Sequence, residues 1–264
     1  MNLQQFCFPV DERDVSFVSQ SKFYDWKAKS YVLKPTDKPA DQYKAIVKSE
    51  NNSLISIVNK NYKLVPNKEL IDQLMEQLER TDQRYEIDKH HSFVRDNRMR
   101  LHILFPDLII KDDSDQGIAL SLYLHNSYDL SEGIRMYWGA IRHVCTNGMV
   151  FGEVLAKYYS KHTKGFQIKD LKSSLENTYH LIPDIQQRIE LLDSLKVDNK
   201  FESEMIEQVG TRFVKHLQME NSLSSFSGLT QLQLFHLVTN YISHRMKQEM
   251  QSRYQWAASK LFNL

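Results

Sequence analysis

The chain has 264 residues, 41% of them apolar and 25% charged, with a formal net charge of +1, a composition that excludes a disordered or fibrous chain. Its longest apolar runs, Leu101–Phe105 and Ile118–Leu124, fall far short of the roughly 20 residues that cross a bilayer. Met1–Val10 lacks a secretory leader's pattern and the only cysteines, Cys7 and Cys145, cannot build a disulfide framework, so a cytoplasmic protein without membrane contact is expected.

Met1–Gln42 is polar and interrupted by Pro9, Pro35 and Pro39, with a charged run at Asp11–Asp14; it reads as an extended N-terminal arm with one short strand near Ser30–Leu33. From Tyr43 the pattern alternates, with Tyr43, Ala45 and Val47 set against Lys44, Ile46 and Lys48. After the Asn51-Asn52 turn signal, Leu54, Ile55, Ile57 and Val58 complete a hairpin. Asn67 is placed to cap a helix whose apolar residues Leu70, Ile71, Leu74 and Leu78 recur at helical spacing, with Glu69 in its first turn and its end near Arg80 or Thr81. Strands are expected at Tyr85–Ile87 and Phe93-Val94, then, after an Asp96-Asn97 turn, along Met99, Leu101, Ile103 and Phe105 up to Pro106. The Asp112–Gly117 cluster leads into a further strand, Ile118–Leu124.

Beyond Ser131 the pattern reads as helical through Ala140 or Cys145, turns at Asn147-Gly148 and resumes with Val154, Leu155 and Tyr158. From Ile168 apolar residues recur at helical spacing: Leu171, Leu175, Tyr179 and Ile182, then Ile185, Ile189, Leu192 and Leu195, then Phe201, Met205, Val209 and Phe213. One long final helix is expected from Thr230 towards Leu261. The expected class is α+β: an arm over 1–42, a core domain with a mainly antiparallel sheet and packed helices over 43–165, and a helical C-terminal region over 166–264 that packs on the core.

The least core-like stretch runs from His125 to Gly152. Asn126, Ser127, Tyr128, Asp129, Ser131 and Gly133 form a polar cluster at the end of an apolar strand; Arg135 and Arg142 follow with Tyr137 and Trp138 between them, then Cys145, Asn147 and Gly148 in a turn. Backbone amides of such a loop with two arginines suit an anion, and arginines beside aromatic rings suit single-stranded nucleic acid. Asx-turn and helix-cap chemistry accounts for the same residue types, with Tyr137 and Trp138 as core and the arginines paired to Glu132 or Glu153. Further basic residues lie nearby: Arg95, Arg98 and Arg100 on the expected hairpin, and Lys157, Lys161 and Lys164 around His162.

No catalytic set and no metal site is legible. His90, His91, His102, His125, His143 and His162 are scattered, with no His-Glu-x-x-His and no paired-cysteine motif, and no cofactor loop is present in a chain with 8 glycines. Cys145 with His143 and Asp129 lacks the context of a thiol nucleophile.

On Asn126, Ser127, Tyr128, Asp129, Arg135, Arg142, Cys145, Asn147, Gly148, His162 and Thr163, the chain resembles the phage/plasmid-like proteins of unknown function, domain of unknown function 932. The stretch from Leu229 to His244 is similar to that family's C-terminal signature. The resemblance covers about Tyr43 to His244, with one departure: Asp129-Leu130-Ser131 stands where the family often has Asp-Gly-Ser, so a tighter or less exposed loop is expected. It implies a mobile-element setting, and the order of elements is similar to the core of phage single-strand annealing proteins.

The expected function is a non-catalytic DNA-binding accessory protein that binds or anneals single-stranded DNA in recombination, replication or repair, as a homo-oligomer. Arg95, Arg98, Arg100, Arg135, Arg142, Lys157, Lys161 and Lys164 would contact phosphates, and Tyr137 or Trp138 would stack on bases. The alternative is a protein-binding module acting in host defence or counter-defence.

Overall fold

Strands come first along the chain and helices last, and each block is built from the periodicity of its residues. The computed structural model describes residues 3–25, 27, 29–81, 83–89, 91–95, 97–111, 117–142, 147–150, 157–160 and 182–263, with the backbone alone for 17–24, 31–39, 140–142, 147–150, 157–160 and 248–249. Two antiparallel sheets and, among the described residues, six α-helices make an α+β fold.

After a short 3-10 turn at Leu3–Phe6, strands β1 (Val10–Asp25), β2 (Ser30–Lys48) and β3 (Leu54–Asn59) form a three-stranded sheet in that order. The expectation of an arm with one short strand is corrected here: β1 and β2 pair from Val10↔Lys48 to Asp25↔Ser30, with an irregularity between Asp14 and Ser16. Strand β3 reaches only Tyr43–Val47 of β2, so from Ser16↔Pro39 outward this sheet continues as a two-stranded ribbon. Pro35 and Pro39, which suggested a break, are tolerated because, among the described residues, this edge of β2 carries no further strand and proline costs a ladder only where a donor is needed.

Helix α1 spans Asn67–Glu79 and buries Leu70, Ile71, Leu74 and Leu78, as their spacing requires. Its N-cap is Pro66, without a side-chain cap; Asn67 turns its carbonyl instead to Asn126. Strands β4 (Glu86–Ile87), β5 (Phe93–Val94), β6 (Arg98–Ile110), β7 (Ile118–Ser127), β8 (Ile134–Arg142), β9 (Asn147–Val150) and β10 (Lys157–Ser160) form the second, seven-stranded sheet, ordered β10-β8-β7-β6-β4, with β5 also on β6 and β9 also on β8. Strand β6 does not stop at Pro106: the register slips between Phe105 and Ile109 and pairing resumes to Ile110, an irregularity that accommodates the proline.

The segment read as a helix after Ser131 is strand β8, which pairs along its length with β7 from Ile118↔Arg142 to His125↔Arg135. Both of its faces are buried at Ile134, Met136, Tyr137 and Trp138, so no polar/apolar alternation marked the strand. Tyr158 likewise lies on a strand, β10. Met99, Leu101, Ile103 and Phe105 on β6, Leu120, Leu122 and Leu124 on β7, and Ile134, Met136 and Trp138 on β8 line one sheet face. They share one continuous core with α1 and the C-terminal helices.

Those helices are α2 (Ile182–Ser194), α3 (Asn199–Val209), α4 (Thr211–Glu220), α5 (Gln231–Arg245) and α6 (Gln248–Phe262). Asp198 caps α3 by accepting from the Phe201 amide, and Thr230 with Gln233 forms a capping box on α5. Gly210 at φ +88° separates α3 from α4. The expected long final helix is two helices, because Met246 is extended.

Candidate functional site

The signature loop is a joint between the two sheets. Asn126 donates to the Val65 carbonyl (2.9 Å) and to Asn67 Oδ1 (2.8 Å). Tyr128 accepts at its hydroxyl from the Asn67 amide (2.7 Å), while Tyr62 donates to the Ser127 carbonyl (2.9 Å) and Ser56 donates to the Tyr128 carbonyl. The Tyr128 ring closes a small core with Ile46, Val58 and Tyr62, and burial raises both phenols well above their ordinary pKa. Ser127 Oγ donates to the Glu132 carbonyl and accepts from its amide (2.7 and 3.1 Å). Asp129 accepts from the Ser131 amide (2.9 Å) and from Asn97 Nδ2 (2.6 Å), and lies 4.0 Å from Arg98. Burial alone would raise the Asp129 carboxyl; those hydrogen bonds and the Arg98 charge outweigh it and lower it. The Asx-turn reading of this loop is therefore the one its contacts support, and no anion cradle forms from Ser127. Leu130 sits at φ +63° and is 55% exposed, so the loop is not the less exposed one expected from the departure from Asp-Gly-Ser.

The opposite face of the large sheet is buried and polar. Alternation turns Arg100 and His102 on β6, Ser121, Tyr123 and His125 on β7, and Arg135 and Tyr137 on β8 away from the apolar core, and all of these except Arg135 are less than 5% exposed. The His102 ring stacks on Tyr123 (3.9 Å between centroids), Tyr123 stacks on Tyr137 (5.0 Å), and Trp256 of α6 meets Tyr137 edge-on (5.1 Å).

A relay runs through His125. Its Nδ1 lies 3.2 Å from Glu132 Oε2 and its Nε2 lies 2.9 Å from the Tyr137 hydroxyl. A carboxylate only accepts, so Nδ1 carries the proton, donates to Glu132, and leaves Nε2 to accept from Tyr137. Burial and the Arg100 charge push His125 down to about 4, against the pull of Glu132. Burial would raise Glu132, but the His125 hydrogen bond and the charges of His125, Arg100 and Arg135 hold it at about 2. At neutral pH the pair is a neutral imidazole donating to a carboxylate. Burial raises Tyr137 to about 12 and Tyr123 well above the ordinary phenol value.

At the edge of this face Asp88, just past β4, meets two histidines. Asp88 Oδ2 is 2.5 Å from His91 Nδ1 and 2.9 Å from His102 Nδ1. Sequence reading set these histidines aside one at a time, and Asp88 was not among the residues it singled out. The only linear signal was Asp88-x-x-His91 followed by His102 on the neighbouring strand.

Several expected nucleic-acid contacts are therefore corrected. Tyr137 (1% exposed) and Trp138 (2%) are interior residues, Trp138 packing against Phe105 in the main core, so neither ring offers a stacking surface. Arg100 is 4% exposed, its guanidinium over the Phe93 ring. Arg95 is exposed, over the same ring, and Arg98 is half-buried; both stay at the accessible end of the β5–β6 hairpin, and Arg135 is half-buried within the polar face. Arg142 pairs through its backbone with Ile118 and Asn147, Gly148 with Ile141, and Lys157 with Tyr137, so Lys157 sits on a strand rather than on the expected helix. Cys145, Lys161 and Lys164 lie outside the described residues, as do His143, His162, Thr163 and Glu153.

Comparison with known proteins defines the class. The sequence model of the family described as "Domain of unknown function (DUF932)" matches residues 54–258; the chain belongs to this family. No curated protein and no solved structure matches it. The match begins at β3 and takes in the signature loop and the buried polar face, leaving β1 and β2 outside it.

Proposed function

We propose that this protein is a non-catalytic nucleic-acid-binding accessory protein of a mobile element, acting on single-stranded DNA through the β1–β2 ribbon and the neighbouring Arg95–Arg98 hairpin end. The observation that carries the reading is the ribbon. In sequence its outer part, from Ser16 to Pro39, carries Lys22, Lys27, Lys29, Lys34 and Lys38 against only Asp25 and Asp37, with Phe17, Phe23, Tyr24 and Tyr31 among them. Cations for phosphates beside rings for bases are what sequence-tolerant binding of single strands requires. The root of the ribbon is charge-neutralised: Lys44 pairs with Glu12 (2.6 Å) and Arg13 with Asp11 (3.1 Å). The excess positive charge therefore lies outward, where Lys27 and Lys29 are exposed.

The joint supports a shared surface. Tyr128 donates its amide to the Asn97 carbonyl (2.8 Å) and packs against Ile46 and Val58 of the three-stranded sheet, so the turn between Arg95 and Arg98 is tied through Tyr128 to the sheet that carries the ribbon. Buried acid–base groups such as His125 and Tyr137, at 1% exposure, are closed to a polymer substrate, which favours binding over catalysis. Labelled oligonucleotide anisotropy at low and high salt tests the reading. Affinity is expected to fall steeply with salt, and the double variant Lys27→Glu, Lys29→Glu is expected to bind at least tenfold more weakly. Binding that is absent, or indifferent to both salt and charge reversal, overturns it. Capture of a host protein dependent on the same lysines would instead favour the interaction-module alternative.

A further inference from the structure

We propose that Asp88, His91 and His102 form a binding site for a first-row divalent metal ion of the zinc class. One carboxylate oxygen and two imidazole nitrogens lie within 4.8 Å of one another, and both Nδ1–H groups are aimed at the same oxygen, Asp88 Oδ2, at 2.5 and 2.9 Å; an arriving ion takes the place of the two shared protons, each imidazole keeping its proton on Nε2 and turning its Nδ1 lone pair to the metal. Around a tetrahedral ion with bonds near 2.0–2.1 Å, ligand atoms stand roughly 3.3 Å apart. Displacements of less than about an ångström thus turn a doubly accepting carboxylate into three ligands around an ion, with a fourth position open to water.

The backbone fixes the ligands before any ion arrives. The Asp88 amide donates to the His102 carbonyl (3.0 Å), the Ser92 amide to the Asp88 carbonyl (3.1 Å), and the His102 amide to Ser92 Oγ (2.9 Å). The turn that carries Asp88 and His91 is thereby stitched to the strand that carries His102. Side-chain orientation is held as well, His102 lying flat on Tyr123 and edge-on to His91 (5.4 Å). Two nitrogens and one oxygen suit Zn²⁺, Co²⁺ and Fe²⁺ better than Mg²⁺ or Ca²⁺, which take oxygen-rich shells. The site is almost closed, with side chains 10%, 7% and 0% exposed for Asp88, His91 and His102. A bound ion would clip the β4–β5 turn to β6. This site is independent of the ribbon and does not rest on the nucleic-acid reading.

The experiment uses the untagged full chain, stripped with a chelator and titrated with Co²⁺ and with Zn²⁺. Stoichiometric binding is expected, with the visible d–d absorption of Co²⁺ bound to nitrogen and oxygen in low symmetry, and with a Zn²⁺-dependent rise in melting temperature. His91→Gln changes only the outermost histidine and is expected to keep the fold, to weaken the ion at least tenfold and to abolish the melting shift. Asp88→Asn and His102→Gln are expected to do the same; should either fail to fold, the wild type and His91→Gln decide. No Co²⁺ absorption in the wild type, or equal binding by wild type and His91→Gln, overturns the site.

Discussion

Tyr128 shows how a loop residue becomes a structural one. Its hydroxyl is the acceptor for the buried Asn67 amide and its ring closes the joint between the sheets. Tyr128→Phe leaves that donor without a partner, so a loss of about 1–3 kcal/mol is expected in urea denaturation. Leu130 is the opposite case: it occupies φ +63° with its side chain 55% exposed, a conformation that costs a non-glycine residue roughly 1–2 kcal/mol. Leu130→Gly is expected to be neutral or to raise the urea midpoint, the lost strain being offset in part by glycine's freedom in the unfolded chain. A lowered midpoint would mean the left-handed loop carries no strain.

His125 sets a pH dependence. Its ordinary value of 6.5 falls to about 4 on folding, so the unfolded chain binds the extra proton first. Its contribution to stability is complete above about pH 6.5 and is lost as the pH falls towards 4. Glu132, lowered from 4.5 to about 2, adds its own loss only below about 4.5. Urea midpoints measured from pH 7 to pH 5 are expected to fall for the wild type and to fall less steeply for His125→Phe; parallel slopes would contradict the assignment.

At the scale of elements, α1, β3, β7 and the start of a helix near Thr230 were legible because each rests on a local pattern: helical spacing, apolar residues after an Asn-Asn turn signal, or a short apolar run entered through a turn cluster. Thr230→Ala is expected to cost about 1 kcal/mol, read as a shift in thermal midpoint. Strand β8 was not legible as a strand. In Ile134-Arg135-Met136-Tyr137-Trp138 the two faces meet two different interiors, one apolar and one polar and aromatic, so the alternation that marks a half-exposed strand is missing. The β1–β2 ribbon was hidden for another reason: Pro35 and Pro39 count against a strand in a sheet interior but are tolerated at an edge without a further strand. The Asp88, His91 and His102 cluster depends on β6 running beside the β4–β5 turn, a tertiary fact that spacing along the chain does not encode.

At the scale of the whole molecule, the protein divides its roles between two sheets. The seven-stranded sheet and its helices bury an apolar core on one face and a hydrogen-bonded polar layer on the other, and within the described residues no helix is long and apolar enough to cross a membrane. The three-stranded sheet is anchored by Tyr128 and sends out the basic ribbon that lies beyond the family match. Tyr137 and Trp138 serve the fold: Trp138→Ala is expected to cost about 3–5 kcal/mol of stability, whereas Lys27 and Lys29 are exposed and their loss should leave the melting temperature unchanged. A ring- or filament-forming annealer would also change size when single-stranded DNA is added. Light scattering is expected to show that growth; a monomer with and without DNA would reduce the proposal to simple binding.

Under the proposed function, nucleic acid is met by the ribbon and not by the signature segment. Anisotropy of a labelled single strand with the wild type, with Lys27→Glu, Lys29→Glu, and with Arg135→Gln tests it directly. Strong, salt-sensitive binding by the wild type and by Arg135→Gln, with a loss of tenfold or more on charge reversal in the ribbon, is the result expected; undiminished binding after charge reversal, or no binding by the wild type, would contradict it.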